Sequence, residues 1–188
     1  PQKTDLPNDQ LTEDGANLGL IVSNIRRDAA RKRFIELLTT MYAGAEDIEP
    51  SIVGGTVQLF MHEKGFSTPA TRLSDGTIRW LCLLAVLLNP SPPPLVCIEE
   101  PELGLHPDMM NTLAELLKEA AGRMQLVVTT HSDALIDALN DPDVVMTCQK
   151  ENGRTLIRRL DRAELARWLE QYTLGELWRK GVIDANRW

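Results

Sequence analysis

Leu95-Val96-Cys97-Ile98-Glu99-Glu100-Pro101-Glu102-Leu103-Gly104-Leu105-His106-Pro107 joins an unbroken apolar run to a cluster of carboxylates. Leu95–Ile98 has the length and composition of a strand covered on both faces. An apolar strand ending in adjacent carboxylates is costly unless something cationic or hydrogen-bonding stands at its tip. Open α/β sheets bind their ligands at the carboxyl ends of the strands. Glu99 and Glu100 therefore fall where ligand chemistry is expected, and the bland alternative is a glutamate-rich surface loop.

Upstream, Thr77 to Leu88 reads as an apolar helix that Asn89-Pro90-Ser91-Pro92-Pro93-Pro94 must end, because proline cannot continue a helix. Leu73-Ser74-Asp75-Gly76-Thr77 opens it. The Ser74 hydroxyl can cap the first turn, and Gly76 lets the backbone approach a ligand closely. Free N–H groups and the positive helix end make such a turn a candidate anion site, although the same residues also describe an ordinary capped helix. Downstream, Pro107 suits the start of a helix running to about Ala121 and stopping at Gly122. Gln125–Thr129 reads as a second buried strand, His131 follows its end, and Ser132-Asp133 caps another helix. Strands and helices alternate from 73 to 149, so the fold class is α/β with a largely parallel sheet flanked by helices.

The remainder frames this unit. Residues 1–14 are polar and aperiodic and read as a linker or frayed end. Asn17 to about Met41 has helical spacing, and Pro50 breaks the register that follows. Ser51–Val53 and Thr56–Met61 flank Gly54-Gly55 as a hairpin. Val144–Cys148 and Thr155–Arg159 read as strands around Asn152-Gly153, with helices near Asp161–Gln171 and Leu174–Arg179. The expected organisation is residues 1–14, a helical segment with a hairpin over 15–70, a core lobe over 71–150, and a C-terminal strand and helices over 151–188.

Composition narrows the class. A chain of 188 residues with 43% hydrophobic and 25% charged residues is ordinary for a globular protein. No apolar run reaches the roughly 18–20 residues that span a bilayer. No signal peptide opens the chain, and Pro1 reads as a cut rather than a natural start. Cys82, Cys97 and Cys148 lack paired metal-binding spacings and read as reduced, buried thiols, so a cytoplasmic setting is expected. The net charge of −7 disfavours nonspecific phosphate-backbone binding. Acid is concentrated over residues 71–150, with 5 basic against 11 acidic side chains, whereas 151–188 hold 8 basic and 6 acidic.

The order of these motifs resembles the C-terminal part of the ABC-type ATPase superfamily, a P-loop NTPase fold, in the branch of RecF-like, OLD-like and AAA-type predicted ATPases related to SMC heads. The resemblance is dense over residues 72–140. It implies that Leu73, Ser74, Asp75, Gly76 and Thr77 form the signature loop, which contacts the γ-phosphate of ATP held by a second head. It implies that Glu99 is the Walker B carboxylate holding Mg²⁺ and that Glu100 is the base orienting the attacking water. One metal-holding and one water-holding carboxylate suit phosphoryl transfer, which needs mostly positioning and charge neutralisation. The family usually has aspartate first, and Glu99 is a methylene longer. Gly104 to Pro107, with His106, resembles the D-loop that crosses the dimer interface, while a surface side chain before a helix describes His106 equally well. His131 resembles the switch histidine that contacts the γ-phosphate. His62 has no such context.

A phosphate-cradling loop would read G-x-x-x-x-G-K-[ST]. Lys3, Lys32, Lys64, Lys118, Lys150 and Lys180 are the lysines, and none follows a glycine. The resemblance places that loop in an N-terminal lobe, so this sequence reads as the second lobe of an ATP-hydrolysing head, inactive alone. The implied cofactors are ATP and Mg²⁺. The implied partners are a second copy of the head, the Walker A lobe, and DNA or a nuclease, with no membrane. DNA repair, DNA maintenance and anti-phage defence are the expected settings. The alternative is a non-catalytic dimerisation or interaction module with a degenerate site. A Toprim-type nuclease would need clustered acidic residues beyond the sheet and is disfavoured because no D-x-D stands directly after Glu99, Glu100 and Glu102. Arg26, Arg27, Arg31, Lys32 and Arg33 form a modest basic stripe for DNA, or a solvated helix face.

Overall fold

The computed structural model describes residues 2–25 and 30–183. The first half is a four-stranded antiparallel sheet backed by helices. Strand β1 (Gln2–Lys3) and helices α1 (Leu18–Ile25) and α2 (Ala30–Met41) precede β2 (Ala45–Val53), β3 (Thr56–Glu63) and β4 (Phe66–Pro69). β3 is central: β2 pairs along one edge, and β1 and β4 share the other. The β2–β3 turn works because Gly54 and Gly55 both take positive φ (59° and 75°), which only glycine adopts freely. Val57, Leu59 and Met61 alternate inward from β3, and Leu59 and Met61 join the core lined by α1 and α2, as a sheet with one covered face requires.

The second half begins with α3 (Asp75–Leu87), whose Trp80 is fully buried and donates its indole N–H to the Leu37 carbonyl at 3.0 Å. Arg123 closes the far end of α3 by donating to the carbonyls of Asn89, at 2.7 Å, and Leu87. β5 (Leu95–Glu99) and β6 (Gln125–Thr129) pair in parallel, Leu95 against Gln125 and Glu99 against Thr129. A 3₁₀ turn over Pro107–Met109 and α4 (Met110–Ala121) make the crossover, and α5 (Asp133–Leu139) follows β6. Beyond a 3₁₀ turn over Pro142–Val144, β7 (Met146–Glu151) and β8 (Arg154–Arg159) form an antiparallel hairpin, then α6 (Arg162–Leu169) and α7 (Leu174–Arg179). One apolar cluster runs from Leu18 to Leu135, and a smaller one joins Ile136 of α5 to Leu165, Leu174, Leu177 and Ile183.

The α/β class stands, with its parallel part in the β5–β6 pair. Several local expectations are corrected. Pro50 does not break a pattern; it lies inside β2 opposite Leu59, where proline is tolerated because β2 is an edge strand. Residues 2–3 and 66–69 are strands. β5 and β6 are not covered on both faces: Leu95, Cys97 and Val127 are exposed, while Val96, Ile98, Leu126 and Val128 pack on the core. Of the three free thiols, only Cys82 is substantially covered, and burial pushes its pKa up; Cys97 and Cys148 are exposed. Residues 26–29, inside the expected helix of 17–41, lie outside the described residues. No helix among the described residues is long and apolar enough to cross a membrane.

Candidate functional site

β5 ends at Glu99, and its pairing continues one step further. The Glu100 N–H donates to the Thr129 carbonyl at 3.0 Å, with Thr129 Oγ1 at 3.4 Å. The chain then turns sharply. Glu100 has φ 44°, the left-handed region in which a side-chain-bearing residue is strained. Arg79 of α3 stabilises this turn by donating to the Glu100 carbonyl at 2.6 Å and the Glu99 carbonyl at 3.2 Å. The Leu103 N–H returns to the Glu100 carbonyl at 3.1 Å, closing the loop.

The turn brings two of the sequence candidates together. Glu100 Oε1 stands 3.6 Å from His131 Nε2, an ion pair whenever the imidazole is protonated. The Glu100 side chain is more enclosed, at 28% exposure against 64% for His131, so the histidine is the solvent-facing member. Both sit at the carboxyl ends of β5 and β6, where an open parallel sheet places its ligands. Glu99 is exposed at the strand tip.

The loop that opens α3 is joined to the same region through backbone. Ser74 is the N-cap: its Oγ accepts from the Thr77 N–H at 3.1 Å and lies 2.8 Å from Thr77 Oγ1. Asp75 occupies the first turn, Thr77 is buried, and Leu73 packs against the main core. A Cβ on Gly76 would come within 2.3 Å of the Gly104 carbonyl oxygen. The absent side chain at Gly76 is thus consumed by a backbone-to-backbone contact within the chain. Gly104 has φ 74° and faces Gly76 across this contact. His106 stands apart, as the N-cap of the Pro107–Met109 turn: its Nδ1 accepts from the Asp108 N–H at 3.3 Å. Its side chain is 72% exposed and makes no described contact with Glu99, Glu100 or His131. His62 pairs with Glu49 at 3.4 Å, far along the chain in the antiparallel sheet.

Two residues without an assigned role in the sequence belong to this region. Arg79 holds the turn, and Glu102 reaches across to β6, where its Oε1 accepts from Thr130 Oγ1 at 2.5 Å and from the His131 N–H at 3.1 Å. The signal for Glu102 was its place in E-E-P-E; for Arg79, one helical turn beyond Ser74, no sequence signal separated it from other helix arginines. Behind His131, α5 is anchored by Arg179, whose guanidinium on Asp133 holds that carboxyl below its usual range, and by Gly175, whose N–H donates to Asp137 Oδ1 at 2.6 Å.

Among the described residues no three His, Cys, Asp or Glu side chains converge as a metal cage. Glu99 and Glu100 would offer a hard cation at most two carboxylates, and magnesium is commonly held by one or two carboxylates with water and phosphate oxygens completing its shell. Of the basic stripe, Arg31, Lys32 and Arg33 are described, and Lys32 is the exposed one at 88%. Arg31 pairs with Asp47 and donates to the Ile48 carbonyl, Arg33 pairs with Glu119 and Glu36, and Lys32 meets Glu36 at 3.9 Å. Arg26 and Arg27 lie outside the described residues.

The chain is 33% identical over 66 residues to the Old nuclease of Escherichia phage P2, a match covering 35% of the chain and 11% of that nuclease. It superposes on an Smc head domain with an extended coiled coil, bound to the C-terminal domain of ScpA and derived from Pyrococcus furiosus. The TM-score is 0.60 at 17% identity, covering 84% of this chain and 41% of that one. A chain from a study of ATP-driven dimerization and DNA-stimulated activation of SMC ATPases gives 0.57 at 17% identity, covering 80% and 96%. The chain therefore has the SMC-head fold while spanning a small part of the phage nuclease and under half of the Pyrococcus structure. A family model matches residues 3–137, well over half the chain, and the protein belongs to that family, described as "AAA domain, putative AbiEii toxin, Type IV TA system".

Proposed function

We propose that this chain is the signature and Walker B half of an ATP-hydrolysing head that works as a nucleotide-sandwiched dimer. The observation that carries the reading is the approach of Glu100 Oε1 to His131 Nε2, 3.6 Å, at the carboxyl ends of two parallel strands. ATP with Mg²⁺ supplies the phosphoanhydride that is cleaved. Glu100 accepts a hydrogen bond from the attacking water and His131 donates to a terminal phosphate oxygen. Glu99 holds the metal, and the Ser74–Thr77 turn meets the phosphate of the partner head. The phosphate-cradling residues come from a lobe with a G-x-x-x-x-G-K-[ST] loop. The exposed apolar side chains Leu95, Cys97 and Val127 support this reading, since they leave one face of β5 and β6 for further chain to cover. DNA or a nuclease is the proposed partner in repair, DNA maintenance or phage defence, with the P2 nuclease as the similarity that favours it.

Steady-state ATP turnover of the complete protein tests the reading. Glu100→Gln keeps the size and should lower kcat by about 10²–10⁴-fold, the usual contribution of a positioned general base. The 188-residue chain alone should be inactive. No turnover by the complete wild-type protein would favour the non-catalytic interaction module instead, and equal turnover by wild type and Glu100→Gln would remove Glu100 from the role of base.

A further inference from the structure

We infer that Glu102 is a positioning residue for His131, setting the distance between the imidazole and Glu100; this rests on the proposed ATPase reading. After the Glu100–Thr129 contact the two strands part, and no backbone ladder bond holds residues 130–132 to the carboxylate loop. The Glu102 side chain spans that gap. One oxygen, Oε1, receives both the Thr130 hydroxyl (2.5 Å) and the His131 N–H (3.1 Å). Thr130 Oγ1 in turn accepts from the Ser132 N–H at 3.0 Å, and Ser132 Oγ caps α5 by accepting from the Leu135 N–H at 3.1 Å. A relay of hydrogen bonds thus runs from the carboxylate loop through the residues on both sides of His131 into the first turn of α5.

The pattern is selective. Glu102 Oε2 is buried and has no partner among the described residues, and an unmade hydrogen bond on a buried oxygen costs stability. The two donors to Oε1, the Thr130 hydroxyl and the His131 N–H, both lie at the histidine. Charge-assisted bonds to a carboxylate are short and geometrically demanding, which suits them to fixing a catalytic group within a few tenths of an ångström. His131 is otherwise mostly exposed, so its main chain is the handle by which it can be aimed.

The requirement is therefore one well-placed acceptor, which glutamine retains and alanine lacks. In the complete protein, Glu102→Ala should lower kcat for ATP hydrolysis by about 10–100-fold, the cost of a misplacement near 1 Å. KM should be little changed, and Glu102→Gln should stay within about threefold of wild type, since its Oε1 can accept from the same two donors. Thr130→Val removes one donor without touching Glu102 and should give an intermediate loss, which keeps the test decisive if the alanine variant folds poorly. Amide hydrogen exchange at His131 and Ser132 gives an activity-free readout: faster exchange in Glu102→Ala, wild-type protection in Glu102→Gln. A wild type that does not hydrolyse ATP would sink the ATPase reading, and a fully active Glu100→Gln would remove Glu100 from the role of base; in either case the exchange data would still decide the role of Glu102. Conversely, inactive Glu100→Gln beside fully active Glu102→Ala and Thr130→Val would overturn the inference. So would equal losses in Glu102→Ala and Glu102→Gln, or exchange at His131 that ignores residue 102.

Discussion

Strands β3 and β6 make an instructive pair. β3 reads T-V-Q-L-F-M-H-E and places Val57, Leu59 and Met61 on one fully covered face. β6 reads Q-L-V-V-T, is more apolar residue for residue, and leaves Val127 at 43% exposure. The alternating strand is the well-buried one. Alternation describes a sheet that needs a single cover, which α1, α2 and α3 supply within this chain. A continuous apolar run describes a strand fit for cover on two sides.

Four substitutions break or sharpen the contrast, all read from urea-unfolding midpoints of this chain. Trp80→Ala lies beneath the covered side and should have the largest effect, about 3–5 kcal/mol for the cavity, with the Leu37 carbonyl losing its partner as well. Next is Gly76→Ala, whose new Cβ must push the Gly104 carbonyl from 2.3 Å; the strain should destabilise by about 1–3 kcal/mol and shift the amide resonances of residues 99–106. Unchanged resonances there would show that the loop absorbs the methyl without moving. The matched pair Val57→Ala and Val127→Ala removes the same atoms from the two strands. Val57, wholly buried, should cost about 1.5–3 kcal/mol, and Val127 less than about 1. Equal losses would mean that the outer face of β6 is shielded in solution.

What the sequence disclosed follows from the range of the forces involved. Helix α7 and strands β5 and β6 stand where caps, prolines and apolar runs put them, because those signals act within a few residues. Ser74 and Ser132 both cap as their hydroxyls allow. Pro50 misled because its tolerance depends on which edge of the sheet it occupies, a fact set by β1 and β4 pairing on the other side of β3. Cys97 and Cys148 were misplaced for a related reason: apolar neighbours report what a strand can bear, and exposure depends on what packs against it. The proximity of Glu100 and His131 was legible through the parallel register of two strand ends. The hold of Arg79 on the Glu100 turn was not, since it depends on α3 crossing the loop at one particular height.

Glu100 illustrates a tension built into such a turn. At φ 44° its backbone sits in a basin that asparagine or glycine enters with less strain. A population of variants screened for heat resistance alone would drift toward those residues and shed the carboxylate on the way. With Glu100 in its proposed role, ruggedness and reactivity pull this single position in opposite directions, so the most durable version of the molecule is also the one stripped of its acid.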